Sequence, residues 1–315
     1  MNGSRWIETP KHQESLAVAL RAVLARYGQD QPYENVLTAL GLGTLVTAHA
    51  DEPLRCWPTL GRDVRLSGIA ELFGLRLRPL HPPDAAGGLG QSREFAGHFH
   101  DSYLPLIQTA LAHEQPVLAW RGWPAPSSRC WGILTHEQDG RLFGYTLLQG
   151  GEPVPLIDPA HQVYVIEDYQ TPARPLDNDE LLNLALRHMH ELWNGERVDM
   201  PGLLTGDLVY QTWLKLLRLP TPSDSSESSE PDVPLQHRTA VHALLAARRT
   251  LFAFLHSYKG RQQQAATRWT EMCEQVVERL APYEASPLVI DDVERICADL
   301  NAVREIDRRA AEDPM

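Results

Sequence analysis

The sequence predicts an α+β protein in two parts, a mixed first domain over residues 1–175 and a helical domain over residues 176–315. Three observations lead there. Apolar residues recur at helical spacing up to about residue 113, at strand spacing from 115 to 167, and at helical spacing again from 178 onward. An acidic, Ser/Pro-rich stretch at 220–234 interrupts the last region without any apolar periodicity. A chain of 315 residues also has room for two cores of ordinary size.

Taken in order, Thr9-Pro10 resembles an N-cap followed by proline at the first helical position. Leu16, Leu20, Val23, Leu24 and Tyr27 then form an apolar stripe, with Gly28 as its stop. A second helix is expected over Tyr33 to Leu42, a third over Gly68 to Gly74, and a strand over Leu75 to Leu80. Pro and Gly make 82–92 a loop, and 102–113 reads as helix. Four β-rich runs follow, Gln115–Trp120, Cys130–Thr135, Arg141–Thr146 and Gln162–Glu167, which suggest an antiparallel sheet. Beyond Asp177, helices are expected over 178–194, 203–218, 237–258, 261–282 and 289–310, with 220–234 as a connector.

Composition narrows the function. A net charge of −12 argues against nucleic acid, whose phosphates demand a basic face, and against an anionic membrane surface. No run of eighteen apolar residues exists, and MNGSRWIETPKHQES lacks the apolar core of a secretory signal. Cys56, Cys130, Cys273 and Cys297 lie far apart without a CxxC pair, which fits reduced thiols in a cytoplasmic protein. The pairs His98/His100 and His188/His190 lack the i, i+4 spacing of helical metal ligands, so no metal is expected. Gly87-Gly88-Leu89-Gly90 follows prolines rather than a strand and has no Lys-Ser/Thr partner, so no phosphate loop and no cofactor are expected.

Two groups of motifs carry a family resemblance. The run His12-Gln13-Glu14-Ser15 leading to Tyr27-Gly28, then Gln115-Pro116-Val117, then Cys130-Trp131-Gly132-Ile133-Leu134, then Asp158-Pro159, resembles papain-like peptidases of the bacteriocin-processing, double-glycine type. With Gly206-Asp-Leu-Val-Tyr210-Gln-Thr-Trp213 and Ala246-Ala-Arg248-Arg249 added, most of the chain is similar to proteins related to the butirosin-biosynthesis acyltransferase. Those proteins join a papain-like domain to a helical one. The resemblance implies that Ser15 stands at the nucleophile, Cys130 at the catalytic His, Asp158 at its orienting partner and Gln13 at the oxyanion-hole residue.

Two of those positions carry the wrong chemistry. A cysteine nucleophile works as a thiolate held by a helix N-terminus and an imidazolium, whereas a serine hydroxyl needs a base within hydrogen-bond reach. Cys130 supplies none. Each position also has a plain structural reading: Ser15 within a helix begun at Thr9-Pro10, Gln13 on the surface, Cys130 a packed thiol, Asp158-Pro159 a turn. The leading expectation is a papain-like pseudoenzyme with a binding or scaffold role in bacterial secondary or peptide metabolism, its partner an unidentified small molecule or peptide. A second is an active acyltransferase or thiol hydrolase using Cys130, or Cys56 beside Arg55, with His136, His100 or His12 as base. A third is a homodimer acting through the helical domain.

Overall fold

A computed structural model describes residues 14–44, 47–49, 52–56, 64–80, 93–128, 130–149, 151–172, 174–194, 203–218, 233–285 and 292–312. The protein is mixed α+β and divides into two compact units. The first comprises the stretch up to Val36 together with Pro58–Leu176; the second comprises Leu37–Trp57 together with the chain from Asp177. Residues 37–57 therefore belong with the second unit, where the sequence pattern alone assigns them to the first.

In the first unit, α1 (Ser15–Arg26) buries Leu16, Leu20, Val23 and Leu24, the predicted stripe. Gly28 closes the helix at φ 78°, a left-handed conformation that glycine adopts without a Cβ penalty. The chain then enters α2 (Tyr33–Ala39), and later forms α3 (Val64–Leu72), β3 (Leu75–Pro79), α4 (Arg93–His98), a π-helical turn (Phe99–Tyr103) and α5 (Leu104–Ala112). Strands β4 (Val117–Trp120), β5 (Trp131–Gln138), β6 (Arg141–Thr146), β7 (Val154–Pro155) and β8 (Gln162–Tyr169) complete a six-stranded sheet of order β3-β8-β4-β5-β6-β7. Each neighbouring pair is antiparallel.

Strand alternation gives this sheet two dressed faces. Val117, Ala119, Leu134, Val163 and Val165 pack against Phe99, Tyr103, Ile107 and Leu111 of the π turn and α5. Leu118, Trp131, Ile133 and Tyr164 point the other way and are also buried, and α1 packs against β5 on that side.

The second unit is not purely helical. Its helices α6 (Asn178–Trp193), α7 (Asp207–Leu217), α8 (Val233–Ser257), α9 (Gln263–Leu280), α10 (Pro282–Ala285) and α11 (Val293–Glu312) share it with a small sheet. That sheet has the order β2-β1-β9, from Glu52–Cys56, Thr47–His49 and Leu203–Thr205. Three-residue strands are too short to show a period of two, so 203–205 reads as helix in sequence and is corrected here. Val233 and Pro234, expected in the connector, open α8; the rest of that connector lies outside the described residues, as do the 82–92 loop and Thr9-Pro10. The core gathers Val209, Tyr210, Trp213, Val241, Leu244, Val276, Leu300 and Val303.

One charged network is sunk in that core. Arg248 is 2 % exposed and donates from Nη2 to Asp307 Oδ2 at 2.7 Å, and also to the Gly43 carbonyl. Tyr210 Oη donates to the same Asp307 oxygen at 2.5 Å. Burial disfavours the guanidinium's charge, but the Asp307 carboxylate outweighs it and holds Arg248 above its ordinary value. Arg249, in contrast, makes two exposed 2.8 Å bonds to Glu284. Of this adjacent arginine pair, one is paired in the core and the other at the surface.

Candidate functional site

The first turn of α1 is built around Glu14. This residue has extended backbone, φ −82° and ψ 127°, and caps the helix: Oε2 accepts from Leu16 N–H at 2.7 Å and Ala17 N–H at 3.2 Å. Its own N–H donates to Tyr33 Oη at 2.7 Å. Ser15 is thus the first helical residue, not an interior one. The Ser15 hydroxyl donates to Glu14 Oε1 at 3.3 Å and accepts the Trp131 N–H at 3.1 Å, joining the helix to the first residue of β5.

Cys130 precedes Trp131 and is half-buried. Burial pushes its thiol up to about 11, and the nearby Glu14 carboxylate adds to the effect. Burial also pushes the Glu14 carboxyl up to about 7, against the lowering influence of the N–H groups and hydroxyl that it accepts from.

Sheet register brings the other candidate to the same end. Trp131 lies opposite Trp120, and Trp120 opposite Gln162. Arg121 N–H donates to the Cys130 carbonyl at 3.1 Å, and both Ile157 and Asp158 donate N–H groups to the Gly122 carbonyl, at 2.8 and 3.1 Å. Gly122 has φ 81°, and a Cβ there would lie 2.4 Å from the Asp158 carbonyl oxygen. Ser15, Cys130 and Asp158 therefore gather at one end of the sheet. The Asp158 side chain is exposed, and among the described residues no hydrogen bond or ion pair joins it to Ser15 or Cys130.

Two of the proposed bases, His136 and His100, do not reach this point. His136 is five residues along β5 from Trp131, roughly 16 Å at the rise of an extended strand. It stacks on Phe143 and sits 3.1 Å from Thr135 Oγ1. His100 is exposed in the π turn that belongs to the other face of the sheet. His12 and Gln13 lie outside the described residues, and of Cys56 only the backbone, at the end of β2, is described. By chain division Cys56 falls in the second unit. Cys273 and Cys297 are buried in the second unit, where burial pushes the Cys273 thiol up to about 12.

Two residues of this end, Arg121 and His161, carry no family motif, and Glu14 lies within one that gives no sign of its capping role. Arg121, at φ 66°, places its guanidinium 4.3 Å from the centre of the Trp120 ring. His161 lies edge-on to Trp120 and Phe95, with centroids at 5.8 and 5.7 Å. Trp131 is 1 % exposed, and its indole N–H has no acceptor among the described residues. Among the described residues no group of three or more His, Cys, Asp or Glu could hold a metal ion, and no helix is long and apolar enough to cross a membrane.

No protein-family model matches the chain, and no curated protein matches it.

Proposed function

We propose that the protein is a catalytically silent relative of the papain-like acyltransferases and peptidases, acting as a binding or scaffold protein, with a helix-to-sheet junction in place of a catalytic centre. The observation that carries this reading is the seating of the Glu14 carboxylate on the N–H groups of the first turn of α1. In a working thiol enzyme that positive helix end stabilises a thiolate. Here it is occupied by a side chain of the same chain. The Ser15 hydroxyl is likewise engaged on both sides, by Glu14 and by the Trp131 N–H. A thiol lifted to about 11 is a poor nucleophile at neutral pH, which speaks against the active-enzyme reading through Cys130.

What persists is a surface suited to binding: Trp120 under Arg121, the half-buried Cys130 and the exposed Asp158 at one end of a rigid sheet. Iodoacetamide labelling against pH, read site by site by mass spectrometry, tests the reading. Cys130 should stay unlabelled below about pH 9, and acyl-thioester or peptide electrophiles should leave no adduct on Ser15. A Cys130 labelling midpoint near or below 8, or a Ser15 adduct abolished by Ser15→Ala, would sink it.

A further inference from the structure

In the second unit, α7 and α11 border a cavity of about 490 Å³, lined by Gln211, Leu214, Lys215, Arg218, Asn301 and Arg304. On α7 the lining positions recur at i, i+3, i+4 and i+7, one face of the helix, and on α11 at i and i+3. Among the described residues no carboxylate lines it, although the chain as a whole carries −12.

Among the described residues these charges are only partly compensated. Lys215, one of only three lysines in the chain, and Arg218 are exposed, and neither has an ion-pair partner among the described residues. Arg304 is gripped from the side: Nε and Nη2 both donate to the Asp207 carboxylate, the latter at 2.9 Å, which leaves Nη1 uncommitted. Asp207 also receives Gln211 Nε2. One carboxylate thus fixes two lining side chains in place from outside the groove and leaves two cations in excess. Arg308, one turn along α11, is spent on Glu305 and Glu312 and contributes nothing.

We propose that this groove is a docking surface for an acidic peptide segment of a partner protein. Charge complementarity selects the sign. The shape selects the occupant, because the groove is open to solvent and its lining offers one leucine, whereas a small molecule binds where most of its surface is enclosed by apolar walls. Two free cations are too few for nucleic acid, whose binding rests on many phosphate contacts. Carboxylates spaced along an extended segment can meet Lys215, Arg218 and the open Nη1 of Arg304 in turn, with the Gln211 and Asn301 amides beside them.

The test uses the full chain and a fluorescein-labelled hexaglutamate peptide, read by anisotropy at ~20 mM and ~300 mM salt. Binding is expected at low salt and strong weakening at high salt. The Lys215→Glu/Arg218→Glu double variant should bind roughly tenfold more weakly or worse. Arg141→Glu, at an exposed arginine of the first unit, should bind as the parent does. Circular dichroism confirms that both variants are folded. Absence of binding at low salt, equal affinity for a hexaglutamine peptide, an unchanged double variant, or an equal loss in Arg141→Glu would each overturn the proposal.

Discussion

Glu14 and Asp307 are two carboxylates removed from water in different ways. Asp307 meets a guanidinium at 2.7 Å and a phenol at 2.5 Å, so its charge is compensated where it lies. Among the described residues Glu14 meets only neutral donors, two N–H groups and a hydroxyl, and its carboxyl is pushed up to about 7. A helix N-terminus supplies partial positive charge worth about 1 kcal/mol, which does not cover the desolvation of a full negative charge. The lesson concerns role: the Asp307 network is made for cohesion of the helical core, whereas Glu14 leaves its junction dependent on protonation near neutrality.

The largest way to break this contrast is Arg248→Met. Removing the cation strands Asp307 in the core and should cost about 3–5 kcal/mol in urea unfolding. Asp307→Leu added to it should recover part of that loss. A cost under ~1 kcal/mol for Arg248→Met would mean that Asp307 is not the compensated partner described.

Next is Glu14→Gln. The native carboxyl titrates above its unfolded value of 4.5, so the native chain holds an extra proton between there and about 7. Stability is therefore full below that window and falls as pH rises through it, by about 3 kcal/mol at most. Going from pH 5 to pH 7.5 in urea unfolding, Glu14→Gln, whose amide can still cap α1, should gain about 2 kcal/mol of stability relative to the parent, the His237 contribution being common to both. An unaltered pH slope in the variant would refute the account of Glu14.

His237 gives the opposite sign in the second unit. It is 2 % exposed, accepts Trp213 Nε1–H at Nδ1 over 3.1 Å, and burial pushes it down to about 4 from 6.5. The unfolded chain then binds the extra proton, so this contribution is present above 6.5 and is lost as pH falls toward 4, amounting to about 2 kcal/mol at pH 5. His237→Gln should remove that acid-side loss. An acid limb identical to the parent's would count against it.

The smallest effect is that of Ser15→Ala. It deprives the Trp131 N–H of its acceptor and should cost about 1 kcal/mol. Faster amide exchange at Trp131 is the direct readout, and an unchanged rate would show that Ser15 does not tie α1 to β5.

Much of the first unit is legible from pattern. The stripe Leu16, Leu20, Val23, Leu24 and the runs that became β4, β5, β6 and β8 announce themselves because a buried face repeats at 3.6 or 2 residues. The start of α1 does not. Thr-Pro matches the preferred opening of a helix, and Glu is outside the usual set of N-caps, so the start of α1 emerges only from the geometry that brings Tyr33 to Glu14 and Trp131 to Ser15. The pairing of β1 with β9 joins residues more than 150 positions apart in runs of three, and no local period signals that.

The amino-acid order alone determined where helix and strand periods alternate and that the charge is acidic. These are properties of side-chain type and spacing. Tertiary structure decided that residues 37–57 join the second unit, that Arg248 is buried while Arg249 is not, and that Glu14 occupies the end of α1. Each of those depends on which distant groups share a desolvated space, and burial is a property of the packed chain, not of any segment within it.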